Sequence, residues 1–381
     1  MKTPLVALAL ASTLAGPAAA FAQTETYARL SASVSQIYDG NLFATPAPRG
    51  PQDDLISRTG PSLEVGYLSL PLDIVARYGI EAERYLNHPD LNANAAHQDA
   101  SVRFSYVPVP RLDIAVDAGY VATQSPAEFN IESQLAVGRA PAEHVGLSSA
   151  ASYDWDPITK FSGEYTFGRD SVVGGVASVS QRSRAGLQRR TGLRNTYRVD
   201  YQFRHAGFSD GSSSTSYVVT AGWAHALTSR TGFEIAAGPR LNAGSVRPEI
   251  AAVLRRQVSR GELSASYSST EMTTIGERGT INVDRVFFTG RYRPARRLAV
   301  TATPSWSQST RGNQHVPVYT LDAESTFEAT PYLSVVAWAR IGRQNGTLSG
   351  PSEMIPYRTL GLKVTIAQPR RNAGDAGAET R

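Results

Sequence analysis

Apolar and polar residues alternate one for one over most of the chain. Between Tyr27 and Tyr38 the even positions Ala28, Leu30, Ala32, Val34 and Tyr38 oppose Arg29, Ser31, Ser33 and Ser35. Leu72, Ile74, Ala76, Tyr78 and Ile80 likewise oppose Asp73, Arg77 and Glu81, and Leu112, Ile114, Val116 and Tyr120 oppose Asp113 and Asp117. The sharpest case sets Tyr197, Val199, Tyr201 and Phe203 against Arg198, Asp200, Gln202 and Arg204. A period of two is that of a strand whose faces meet different media, whereas a helix repeats near 3.6.

The punctuation between these runs is itself alternately tight and loose. Tight turns are expected near Leu70-Pro71, Pro108 to Arg111, Asp156-Pro157, Arg190 to Leu193, Thr228 to Thr231, Val258 to Gly261, Pro294 to Arg297 and Ala329 to Tyr332. Longer polar loops fall at Gly40 to Asp53, Asn87 to His97, Gln124 to Ala142, Ser171 to Val179, Ser209 to Ser214, Gly276 to Thr280, Ser309 to His315 and Gln344 to Ser352. Short connections on one rim and long ones on the other predict an all-β, transmembrane, antiparallel up-and-down barrel of about 18 strands. The apolar-poor run Gln181 to Arg189 is the weakest strand, and without its hairpin the count becomes 16. A soluble β-sandwich would alternate too. What separates the two is the aromatic residues near strand ends, expected to form two girdles: Tyr38, Tyr67, Tyr85, Tyr106, Tyr120, Tyr153, Trp155, Phe167, Tyr201, Trp223, Tyr292, Trp306 and Tyr332.

Composition narrows the classes further. Only 19% of the 381 residues are charged, against about 25% in an ordinary soluble chain. Cysteine is absent, which excludes disulfide scaffolds, thiol enzymes and thiolate-held metal sites. Residues 1–22 read as a secretory signal, with Lys2, an apolar stretch Leu5 to Leu14 and Ala20-Phe21-Ala22 before the cleavage point. The barrel is then expected over 23–366, with a disordered polar tail at 367–381. Beyond the signal no run approaches the roughly 20 apolar residues of a spanning helix, while a spanning strand needs only about 9 to 11. Loss of Lys2 lowers the formal charge from +5 to +4. Of the 38 basic residues only Lys2, Lys160 and Lys363 are lysines. Arginine keeps its charge when partly buried and binds carboxylate or phosphate in two-pronged fashion, which suits a crowded interior or a lipopolysaccharide-facing rim. Nucleic acid is not an expected partner, because the arginines are interspersed with Asp and Glu in an exported chain.

Chemistry-bearing motifs are sparse. Gly207-Phe208-Ser209-Asp210-Gly211 matches G-x-S-x-G, but that motif needs a helix after it and here lies in a Ser-rich loop, so it reads as a turn. His88, His97, His144, His205, His225 and His315 are scattered without metal-ligand or catalytic spacing. No catalytic, cofactor-binding or metal-ligating residues are assigned, and the chain is not read as an enzyme. The candidate functional set is the inward polar face: Arg77, Glu81, Asp113, Asp117, Lys160, Glu164, Arg198, Asp200, Arg204, Glu234 and Arg240, as pore-lining residues of both signs. The plainer reading is that opposite charges satisfy one another across strands.

Short motifs carry a resemblance. Ser35-Gln36-Ile37-Tyr38-Asp39-Gly40-Asn41-Leu42-Phe43 followed by Arg58-Thr59-Gly60-Pro61-Ser62-Leu63 resembles the opening of Gram-negative outer-membrane β-barrels often encoded beside exopolysaccharide or exosortase machinery. Ala237-Gly238-Pro239-Arg240, Arg247-Pro248-Glu249-Ile250, Arg260 to Tyr267 and Thr274-Ile275-Gly276 are similar to the second half of the same barrels. Thr359 to Ile366 resembles the carboxy-terminal assembly signal of outer-membrane proteins, although it ends in Ile366 where an aromatic residue is usual. The resemblance implies location in the cell outer membrane and contact with bilayer and lipopolysaccharide. It also implies handling by the barrel assembly machinery and periplasmic polysaccharide-export components as partners. The expected function is a channel passing or exporting a polysaccharide or other polar solute. The alternatives are a general diffusion porin and a non-conducting structural or surface-binding barrel.

Overall fold

The computed structural model describes residues 24–348 and 353–368. The expected signal 1–22 and all but the first two residues of the expected tail 367–381 lie outside the described residues. The strands are β1 (Glu25–Asp39), β2 (Asp54–Leu68), β3 (Leu72–Tyr85), β4 (Ala93–Val109), β5 (Leu112–Thr123), β6 (Ala142–Asp156), β7 (Thr159–Val172), β8 (Ser178–Thr191) and β9 (Asn195–Phe208). They continue as β10 (Ser213–Ala226), β11 (Thr231–Asn242), β12 (Ser245–Val258), β13 (Gly261–Met272), β14 (Ile281–Ala295), β15 (Leu298–Arg311), β16 (Gln314–Thr330), β17 (Leu333–Asn345) and β18 (Met354–Ala367). Each pairs antiparallel with the next, and β1 also pairs with β18, from Ser31↔Ala367 to Asp39↔Thr359. The ring is therefore closed at 18 strands, leaving no unpaired edge. The strand expected to be weakest is present as β8, zipped to β7 and β9 along its length.

Alternation decides which face meets which medium. On β1, Leu30 and Val34 are 56% and 55% exposed on the outer skin, whereas Ser35 on the inner skin is 4% exposed. The register carries this parity around the ring, so Leu63, Val102, Leu147, Val199, Val219, Leu321 and Leu362 also face outward. An apolar skin of this extent would be untenable in water. A 14-residue strand such as β3, rising about 3.3 Å per residue at a tilt of about 40°, covers about 35 Å, enough for an apolar band near 25 Å.

Aromatic rings border the band. Near the short turns Tyr153, Trp155 and Phe161 pack edge to face, and Trp223 meets Phe233 at 4.9 Å. One expected girdle member is misplaced. Tyr85 falls on the inner skin, 5% exposed, where its ring joins the lumen's polar network described below. All eight expected tight turns join strands, and eight of the nine opposite connections match expected loops. The ninth, between β11 and β12, is a two-residue turn in which Ala243 and Gly244 have φ of 44° and 82°. Hairpin turns with both central residues left-handed favour Asn-Gly, and Ala there is strained. Ala243→Asn is therefore expected to stabilise the barrel by about 1 kcal/mol, read as a later loss of the compact band in heated detergent gels.

A closed antiparallel ring with an apolar belt, aromatic borders, short turns on one rim and longer loops on the other is an outer-membrane barrel. The short-turn rim faces the periplasm.

Candidate functional site

The lumen is not an empty cylinder. The connection between β5 and β6, residues 124–141, turns inward and crosses to the opposite wall, half-way round the ring. Ser307 Oγ on β15 donates to the Ser133 carbonyl at 3.0 Å, and Ser305 Oγ donates to Gln134 Oε1 at 2.9 Å. On β17, Gln344 Oε1 accepts from the Ala136 amide at 2.8 Å. Leu135 inserts into a buried apolar cluster with Ile281, Val283, Val316, Val318 and Leu348. Here the inner skin departs from polarity, because Val283, Val316 and Val318 point inward to receive the loop.

Ion pairs fix the loop at its root. Arg139, whose side chain is 8% exposed, contacts Glu83 at 3.4 Å, Asp39 at 3.6 Å and the Tyr85 hydroxyl at 2.9 Å. Glu83, fully buried, also accepts from the Tyr85 hydroxyl and pairs with Arg58 at 2.5 Å. Arg58 reaches Glu128 of the loop at 3.5 Å, and Glu81 binds Lys363 of β18 at 2.9 Å. Across the lumen a second network joins Arg204 and Arg240 through Glu249, each at 2.7 Å, with Glu271 at 3.7 Å from Arg240. Asn282 also accepts from Arg240. Single charges of this kind would be costly to bury, and each here lies within 4 Å of an opposite charge.

By register, all eleven residues singled out from the sequence lie on the inner skin. The fold brings some together: Arg198 lies 2.9 Å from Asp200 and 2.7 Å from Glu234, and Arg204 and Arg240 share Glu249. Others pair with neighbours on adjacent strands: Arg77 with Asp99, Asp117 with Arg103, Lys160 with Asp154, and Glu164 with Arg182. No ion pair is formed by Asp113 among the described residues. Missed by sequence reasoning were Arg58, Glu83, Glu128, Arg139, Glu249 and Glu271. Among the strand members, register between neighbouring strands sets Arg58 directly opposite Glu83 on β2 and β3, and the loop members lie in a segment whose sequence predicts a rim loop.

Two larger cavities flank the inner loop. One, of about 900 Å³, lies towards β6–β13 and is lined by His97, Phe129, His144, Asp170, Arg204 and Glu271 among others. The other, of about 660 Å³, lies towards β14–β18 and is bounded by Arg58, Arg139, Arg291, Asp322, Glu324, Trp338 and Arg340, with Asp39 and the loop's Glu128. Within the first, His144 Nδ1 is 2.7 Å from Asp170 Oδ1. Ser209 of the G-x-S-x-G segment accepts from the Ala177 amide at 3.1 Å, and Gly211 has φ of 83°, so the segment is a turn tying two outer loops. Among the described residues no group of three or more His, Asp or Glu side chains is placed to hold a metal ion.

The periplasmic mouth is strongly basic over half its circumference. Arg189, Arg190 and Arg194 flank the β8–β9 turn, Arg230 the next, Arg255, Arg256 and Arg260 the one after, and Arg291, Arg293, Arg296 and Arg297 the β14–β15 turn. All eleven are exposed, and within those turn segments the only acid is Glu262.

No family model and no curated protein matches the chain. Among solved structures, the chain is similar to OccK5 (OpdH) of Pseudomonas aeruginosa, at 9% identity and a TM-score of 0.49, over 90% of this chain and 98% of that one. It is also similar to the outer membrane protein opdK of the same organism, at 12% identity and a TM-score of 0.47, over 90% and 99%. The siderophore receptor PirA from Acinetobacter baumannii aligns at 8% identity and a TM-score of 0.47, over 90% and 80%. The closed 18-strand register, not these likenesses, establishes the barrel.

Proposed function

We propose that the protein is a passive diffusion channel for small polar solutes, its bore set by the inward loop at 124–141. The observation that carries this reading is the loop's attachment on both sides of the lumen, through Arg139 at its root and Ser133, Gln134 and Ala136 at its tip. Such a strut divides a wide polar bore into narrower passages. Export of a polysaccharide chain, the reading suggested by the motif resemblance, would require this strut to leave its seat. Small solutes need no such movement.

The eleven arginines at the periplasmic mouth favour anions at the entrance, since a ring of one sign raises the local concentration of the other. The barrel purified from outer membranes is expected to insert into planar bilayers in discrete conductance steps, with a reversal potential in a potassium chloride gradient that reports chloride preference. Silent bilayers at protein levels that give insertion by a control porin would overturn the channel reading. Cation preference would overturn the role given to the basic mouth.

A further inference from the structure

We propose that the cavity beneath the inner loop is a subsite for a neutral saccharide, with Trp338 as its stacking platform. This deepens the diffusion-channel reading by naming a solute class, and it rests on that reading.

Of the four tryptophans, Trp155, Trp223 and Trp306 lie on the outer skin, whereas Trp338 lies on the inner one. A Cβ placed on Gly361, its register partner on β18, would sit 2.1, 2.2 and 2.5 Å from Cζ2, Cε2 and Cη2 of the indole. Near-equal approach to three adjacent ring atoms puts that point over the ring face, not at its edge. The indole therefore lies flat on the bare backbone of β18, packs against the buried cluster of Ile37, Leu42, Ile56 and Tyr85, and with its remaining surface lines the cavity of about 660 Å³. Among the described residues its N–H meets no protein acceptor.

The surroundings suit a polyhydroxylated ring. Arg291, Thr301, Glu324 and Trp338 are successive register partners on β14 to β17, forming one row across the wall. The row above contains Asp322 and its ion-pair partner Arg340. Arg291 and Glu324 form no ion pair among the described residues; Glu324 Oε1 accepts from Thr326 Oγ1 at 3.4 Å, which leaves its second carboxylate oxygen and the Arg291 guanidinium to meet a ligand beside the platform. The cavity as a whole is lined by four arginines and four carboxylates. That balance selects neither ion sign, while the electron-rich indole face attracts the polarised C–H groups on one side of a pyranose. A volume of this size lies within the range that holds a drug-sized ligand, with room for a di- or trisaccharide.

The test uses maltotriose as the neutral probe and citrate as an anionic contrast, on the intact barrel. Maltotriose is expected to interrupt the ionic current in planar bilayers and, in detergent, to alter tryptophan emission and shield it from acrylamide. Trp338→Ala is expected to abolish both effects, and Glu324→Gln to raise the half-effect concentration about tenfold. Trp338→Phe, which keeps an aromatic face, retains a weakened current block, so a folding failure of the alanine variant does not remove the test. If maltotriose leaves both current and emission unchanged, or citrate alone acts, the saccharide subsite is overturned while the channel stands. An emission change without any conductance supports the subsite and overturns the channel.

Discussion

Glu83→Ala should lower the barrel's stability by about 3–5 kcal/mol, the usual cost of breaking a buried pair by removing one partner. Glu83 has no exposed surface and lies between two guanidinium groups, with Arg58 at 2.5 Å and Arg139 at 3.4 Å. Its removal leaves both cations facing a cavity with one balancing charge fewer, and releases the root of the inner loop. Arg103→Ala is the contrasting case. Its pair with Asp117 is 2.9 Å long, but the two side chains are 74% and 51% exposed to the lumen, so the expected loss is only about 0–1 kcal/mol. The measurement is the temperature at which the compact band disappears from detergent gels. Equal shifts for the two variants would show that the Glu83 cluster is not the buried, high-stakes network inferred from its burial.

Shortening the inner loop should raise single-channel conductance. Replacing 127–138 by a brief Gly-Ser linker removes Glu128, the tip that docks on Ser305, Ser307 and Gln344, and Leu135 from its apolar seat. Conductance follows the open cross-section, and a barrel of this strand number is wide enough for an aqueous channel, so a rise of roughly twofold to fivefold is expected. Gln344→Ala, which removes a single anchor, should instead increase current noise with a small change in mean conductance. An unchanged conductance on shortening would mean that the narrowest point lies elsewhere in the lumen.

Much of the architecture is a local property. Whether a residue at one position of β3 faces lipid or lumen follows from the identities of its neighbours two positions away, because the pleat repeats every two residues. Thus Leu72, Ile74 and Tyr78 were legible as outer skin, Arg77 and Glu81 as inner skin, and the tight turns as the periplasmic rim. Legibility fails where both faces carry apolar residues. In Val316-Pro317-Val318-Tyr319 and in Val335-Val336-Ala337-Trp338 the pattern is compatible with either parity. Only the register shows that Val316, Val318 and Trp338 turn inward. Tyr85 was misassigned for a related reason: a strand-end aromatic resembles a girdle residue until Glu83 and Arg139 are seen beside it.

By itself, then, the chain's two-residue rhythm, with its alternation of tight turns and longer loops, pointed to a barrel wall of 18 or 16 strands with distinct inner and outer skins, whereas the count of 18 and the closing β1–β18 pair belong to the structure. The charged residues of the inner skin could be named, but their partnerships could not. The path of residues 124–141 was decided only by tertiary structure: a loop in which Phe129, Ile131, Leu135 and Val137 are scattered among polar residues does not show by itself which distant wall will receive it. What turned it inward were an apolar seat built from residues 281–348 and carboxylates on β1 and β3, all distant in sequence. The same holds for Trp338, since the flat backbone beneath it belongs to another strand. Pleat parity is written in nearest neighbours, whereas the shape of the lumen arises from contacts across it.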